Sequence, residues 1–268
     1  MSAHAAFAAV CLVAITGCDS CYHQRPAAHI DELAYPGCGA EPLPEGEVLA
    51  SGHLRAGPFS RDQDVVERFE VRRRGCLLFV TVRQEWPLGT ADVEVIYDAA
   101  GAPLRAWKRT TLPSAPDPIA NADTRSYELR TEPATMKVRT AEGEMLLRTL
   151  EGPRPTAVVG PGRGLLTAWI QRAGLAVGEQ SREQVLDFRS LGLERIEPVV
   201  LRREQDRRDS TLGRTVRVYT IFGRESVFTD EHDVVVGDLA GLREDAALDT
   251  PAPPPIPELA PPDPVNTP

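Results

Sequence analysis

Lysine is nearly missing from this chain. Of 30 basic residues in 268, only Lys108 and Lys137 are lysines, and 39 acidic residues outnumber the basic ones to leave a net charge of −9. That balance excludes wholesale binding along a nucleic-acid backbone, where a basic surface must neutralise phosphates. Aromatic residues are few, at 6%, yet 42% apolar residues over this length suffice to bury a core in one large domain or two small ones. No apolar run approaches the roughly 20 residues of a membrane-spanning helix. No Gly-x-Ser-x-Gly elbow occurs, and no repeat on the scale of a solenoid is visible. Histidine is equally scarce beyond His4: His23, His29 and His53 lie in or next to the N-terminal region and His232 in a predicted turn. A nucleophile activated by a histidine base therefore has no evident setting. A pair of carboxylates acting in hydrolysis stays open, because such pairing is spatial.

Charge is also missing locally. Met1 to Gly17 holds no Asp, Glu, Lys or Arg, and Ala5 to Thr16 is an unbroken apolar run of the length of an export signal's central region. Ile15-Thr16-Gly17-Cys18 follows it and resembles the bacterial lipobox, in which small residues precede a cysteine. The segment Met1-Ser2-Ala3-His4 departs from that pattern in lacking the usual Lys or Arg. The resemblance implies removal of residues 1–17, a diacylglyceryl thioether on Cys18, and a protein held on a membrane of the bacterial envelope by its lipid. Two or three buried acyl chains anchor stably where one does not. Residues 18–47 then read as a tether, 48–245 as a single β-rich domain, and 246–268 as a proline-rich tail with no means of packing.

With Cys11 in the signal and Cys18 lipidated, Cys21, Cys38 and Cys76 remain. Three thiols in an oxidising compartment allow one disulfide, either Cys21 with Cys38 inside the tether or Cys38 with Cys76 pinning tether to domain. Cys18-x2-Cys21 with His23, His29 and Cys38 nearby has the look of a zinc set. A thioether on Cys18 removes one of its ligands, so neither metal nor other cofactor is expected.

From Val65 onward, short alternating apolar stretches recur between turn residues. Asp92 to Tyr97 puts Val93, Val95 and Tyr97 on one face, and Asp98 to Gly101 predicts a hairpin turn into Leu104–Arg109. Ser126–Thr131, Thr135–Thr140 and Glu144–Leu150 predict a meander turning at Ala141-Glu142-Gly143. Leu165, Leu166, Trp169 and Ile170 instead share a helical stripe that stops at Gly174. Strands resume at Arg182–Arg189, Glu194–Arg203 and Arg214–Phe222, and Pro198 marks an edge or bulge. A closing hairpin is predicted over Glu225–Phe228 and Asp233–Val236. Strands interrupted by one helix exclude a doubly wound parallel sheet and predict a mainly β, α+β fold: a curved antiparallel sheet or half-barrel with one inserted helix. Gly174-Leu175-Ala176-Val177-Gly178-Glu179 after a helix, followed by strands and the Val227–Val236 hairpin, resembles periplasmic half-barrel proteins. That group includes the LolA-like lipoprotein carriers and the domains preceding some transglutaminase-like modules. The resemblance implies binding of acyl chains or an accessory role.

Other motifs have simpler readings beside the tempting ones. Gly160-Pro161-Gly162-Arg163-Gly164 invites a phosphate loop but lacks the Gly-Lys-Ser/Thr ending, so a sharp strand-to-helix turn is expected. Asp230-Glu231-His232-Asp233 reads as a solvated hairpin tip rather than a cation site. Arg72-Arg73-Arg74, Arg202-Arg203 and Arg207-Arg208 read as ion-paired edges rather than a basic stripe, given their acidic neighbours. The function expected is non-enzymatic: an extracytoplasmic lipoprotein binding an apolar ligand or lipid in a curved sheet, with Trp86, Trp107 and Trp169 lining the concavity. The alternative is a protein–protein scaffold or accessory lipoprotein whose sheet edge and tail engage an envelope partner.

Overall fold

The computed structural model describes residues 46–57, 64–112, 122–129, 133–139, 145–190 and 192–245. The expected signal and tail, and the tether as far as residue 45, lie outside these, with Cys18, Cys21, Cys38 and the predicted turn at 141–143. Sixteen strands and one helix make up the described residues. The first eight strands are β1 (Glu47–Ala56), β2 (Val66–Arg74), β3 (Leu77–Trp86), β4 (Gly89–Tyr97), β5 (Pro103–Thr111), β6 (Asp123–Glu128), β7 (Ala134–Arg139) and β8 (Met145–Leu150). After β9 (Ala157–Val159) come a 3-10 turn at Arg163–Leu165 and helix α1 (Leu166–Ala173). The second series is β10 (Gln180–Asp187), β11 (Arg195–Arg203), β12 (Arg207–Asp209), β13 (Arg214–Ile221), β14 (Glu225–Thr229), β15 (Val235–Asp238) and β16 (Leu242–Glu244).

These strands form one large, curved sheet that stays open, in the order β8-β7-β6-β5-β4-β3-β2-β1-β16-β15-β14-β13-β11-β10-β9, with β12 beside β13. The paired strands run antiparallel except β9, which lies parallel to β10. Local chemistry explains much of the meander. In β4, Ala91, Val93 and Val95 face inward and Asp92 and Glu94 outward, the two-residue period of a half-buried strand. Its hairpin into β5 is closed by Asp98, whose Oδ1 accepts from the N–H groups of Ala100 and Ala102, both at 2.9 Å, while Gly101 takes φ 78°.

Strand β1 is a correction to the sequence reading, which began its strands at Val65. It is the seam of the sheet, pairing with β2 along most of its length and with β16 at Leu54, Arg55 and Ala56. β16 was likewise unanticipated, as was the three-residue β12. Pro198 sits in the part of β11 that pairs with β10 alone, since β11 meets β13 only at Leu201–Arg203. An edge position is where a residue without an N–H is tolerated.

Helix α1 lies against the inner face and ends at Gly174, which adopts φ 54° and donates its N–H to Ile170 O at 3.2 Å, a left-handed stop. Leu165, Leu166, Trp169 and Ile170 join Phe69, Val71, Val80, Val95 and Tyr97 in one continuous core. The predicted stripe is therefore the face the helix buries. On the outer face of the second series, Val216, Val218, Phe228 and Val236 form a smaller cluster. Arg207 and Arg243 there each set a guanidinium over the Phe228 ring, at 4.8 and 5.0 Å.

Candidate functional site

The crossing from β9 to α1 shows why glycine recurs there. A Cβ on Gly160 would fall 2.4 Å from Leu165 Cδ1, on Gly162 2.3 Å from Val82 Cγ1, and on Gly164 2.2 Å from Phe69 Cγ. The turn presses its backbone directly onto β2 and β3, so no side chain fits. Its free N–H groups face an internal anion: Glu67, fully buried on β2, accepts from Arg163 N at 2.9 Å and Gly164 N at 2.6 Å. The place a phosphate loop reserves for ligand is thus held by a carboxylate of the chain itself. Burial pushes the Glu67 carboxyl up to about 7, against the lowering effect of those two N–H groups and of Arg163.

An ion-pair network extends from this turn. Arg163 bonds Asp238 at 2.8 Å and Glu225 at 3.0 Å. Arg189 bonds Glu225 at 2.6 Å and Asp187 at 2.8 Å. Burial alone would raise Asp187, but the Arg189 hydrogen bonds and charge outweigh it and hold its carboxyl below the usual range. Nearby on β5, Lys108 points inward and donates to Phe188 O at 3.2 Å. Burial, reinforced by Arg125, lowers its ammonium to about 8. Every charge in this network has a partner in the chain, and its chemistry is that of a strap holding α1 and the β10–β11 loop to the sheet.

The three tryptophans do not share a cavity. Trp169 is 0% exposed inside the core and donates its Nε1–H to Glu183 Oε1 at 3.0 Å. Trp107 is on the opposite face of the sheet from inward-facing Ala106 and Lys108, and Trp86 ends β3 at a hairpin turn. The inner face, expected to hold an apolar ligand, is occupied by α1. Cys76 is disulfide-bonded. The other cysteines, Cys21 and Cys38 among them, lie outside the described residues.

His232 is exposed at the tip after β14. Its carbonyl accepts from Gln171 on α1 at 3.0 Å, and the neighbouring Asp233 takes Tyr219 OH at 2.8 Å and Arg217 at 2.9 Å. The tip is bolted to the helix, and no metal-holding group exists among the described residues. Several members of the arginine runs are paired or stacked: Arg72 bonds Glu70 at 2.6 Å, Arg74 covers Phe79 at 5.3 Å, and Arg203 covers Tyr219 at 5.2 Å.

What sequence reading missed is a groove of about 440 Å³ across the outward side chains of β1 to β5. Register places Glu70, Thr81, Glu94 and Trp107 in one row and His53, Arg68, Arg83 and Asp92 in the next. Arg83 is tied to Glu85 at 2.8 Å and Asp92 at 3.2 Å, whereas Arg68 makes no ion pair among the described residues. An indole, guanidinium groups, a hydroxyl and carboxylates together suit recognition of another molecule's polar and apolar groups. The alternation of β4 already set Asp92 and Glu94 outward; the pairing of five strands that builds the groove is not visible in any one of them.

No family model matches the sequence, and neither does any curated protein. Among solved structures, the crystal structure of a DUF1089 family protein from Pseudomonas aeruginosa aligns with a TM-score of 0.42 and 16% identity, covering 68% of this chain and 92% of that one. A likeness of that size transfers nothing about function.

Proposed function

We propose that the chain is a lipid-tethered, extracytoplasmic lipoprotein of the bacterial envelope, without catalytic chemistry of its own, that binds a partner protein through the outer groove of β1 to β5. The observation that carries this reading is the occupancy of the two faces. The inner face is filled by the protein's own helix, with Trp169 and Leu165 wholly buried, while the outer face offers the recess around Trp107 and Arg68. Half-exposed aromatic and arginine side chains are what interface anchors are made of. The disulfide at Cys76 supports an oxidising compartment, and the Ile15-Thr16-Gly17-Cys18 motif supports the anchor. The accessory role is preferred to an apolar-ligand carrier because the helix takes the ligand's place.

A photo-crosslinking amino acid at Thr81, inside the groove, tests the partner. In cells it should give a discrete adduct that Trp107→Ala abolishes and that the same probe at Thr220, on the second series of strands, does not give. Identical adducts from both positions, or none, overturn the groove as the recognition surface. In the same cells labelled palmitate should enter the parent chain and not Cys18→Ser.

A further inference from the structure

Ten large apolar side chains are exposed among the described residues, and their placement is uneven. β1 runs from what is here termed the upper end of the sheet to the lower end, and each antiparallel neighbour reverses that direction. The turns β3–β4, β10–β11 and β15–β16 therefore all lie at the lower end, as does the end of β5. Each presents a leucine: Leu88, Leu193, Leu239 and Leu112, between 48% and 71% exposed. Leu146 and Leu147, also exposed, open β8 at the same end. Half-buried Trp86 and exposed Pro87 stand beside Leu88. Six of the ten exposed apolar residues, all leucine, thus lie at one end, while the upper end has Val48, Leu49 and Val177.

We propose that this lower end is a membrane-contact surface, where the turn leucines enter the headgroup–acyl boundary of a bilayer. A protein partner would select a contiguous patch. Here the leucines sit on separate turns along one end of an open sheet, with the charged strap of Arg163, Glu225 and Arg189 at the same end. Single apolar tips spread along one end suit a laterally fluid surface that accommodates each one separately. Chain length permits the contact. With Cys76, at the upper end, bonded to Cys38 as one of the two pairings in the sequence allows, the 20 links from Cys18 to Cys38 still reach about 65 Å when extended, whereas the ten residues of β1 span only about 33 Å. A lipid on Cys18 therefore leaves the domain free to lay its lower end on the same bilayer, although the tether joins at the upper end.

The inference involves residues other than the groove, and its test needs no anchor. Every described element lies between Glu47 and Glu244, so a chain beginning at Asp19 retains all of them. That chain is mixed with vesicles of phosphatidylethanolamine and phosphatidylglycerol and floated on a density gradient. The parent should float with the vesicles. Leu88→Asp, Leu193→Asp and Leu239→Asp should each lower the bound fraction, and the triple variant should weaken partitioning by at least about tenfold, since each change removes a leucine's transfer from water. Val48→Asp with Leu49→Asp, at the upper end, should float as the parent does. Single variants with unchanged melting temperature keep the comparison valid should the triple variant unfold. A parent that does not float, an equal loss from the upper-end variant, or a parent dimer that the lower-end variants dissolve would each overturn the proposal.

Discussion

Replacing Gly162 by alanine tests whether the strand-to-helix crossing is pressed onto the sheet as described. Gly162 has φ −88° and ψ 142°, which any residue adopts, so the substitution brings no backbone strain and acts through volume alone. The added methyl would lie 3.2 Å from Val82 Cβ and 2.3 Å from Val82 Cγ1, the latter more than an ångström inside the ordinary separation of about 3.5–4.0 Å. Val82 is buried on β3 between β2 and β4, where packed neighbours resist its displacement. Overpacking of this kind costs about 2 kcal/mol, equivalent to a fall in melting temperature of about 4–8 °C for a domain of this size. The decisive assay is a double-mutant cycle by urea denaturation. Val82→Ala removes the clashing methyl, so Gly162→Ala in that background should be near neutral, giving a coupling of about 2 kcal/mol. Gly57→Ala, whose Cβ would meet nothing nearer than Gly241 O at 3.5 Å, is the control and should change little. A Gly162→Ala cost below about 0.5 kcal/mol in both backgrounds would refute the close contact, and with it the account of why the inner face is full.

Two further outcomes follow from the buried chemistry. Burial raises Glu67 from 4.5 to about 7, so its contribution to stability is fully present below pH about 4.5 and is lost as pH rises through 7. Parent and Glu67→Gln should therefore diverge between pH 5 and 8, with the parent losing up to about 3 kcal/mol more; parallel stability curves would show that the carboxylate is not desolvated. Cys76→Ser should lower stability by about 2–4 kcal/mol relative to the oxidised parent and cost nothing against the reduced one, read from thermal melts with and without reductant.

The meander and the helix were legible in the sequence because each carries its own period. Asp92–Tyr97 alternates, and Leu165, Leu166, Trp169 and Ile170 fall on one helical face, with Gly174 marking the stop. β1 was not legible for a physical reason. Only Ala50 and Leu54 are buried along it, and Gly52 leaves space for the Phe69 ring, which a Cβ would approach to 2.4 Å. Its extended form comes from its neighbours, not from its own side chains. β9 is buried at all three positions, so it shows no alternation. Glu67 did leave a trace: it shares the inward register of Phe69 and Val71, and a carboxylate at such a position needs internal donors. The tryptophans were conspicuous as residues, but which side of a strand faces the helix depends on the whole sheet, and that placed Trp107 outside and Trp169 in the core.

The seam between β1 and β16 also orders events in time. Those strands lie about 190 positions apart, as the Arg55–Asp245 bond shows with its separation of 190, and their ladder is only three residues long. During synthesis β1 has one bare flank until nearly the whole domain has emerged, a long-range closure that slows folding. A chain crossing a membrane unfolded would present that flank on the far side first. Until the last strand arrives, an unpaired edge of that kind is open to pairing with another chain.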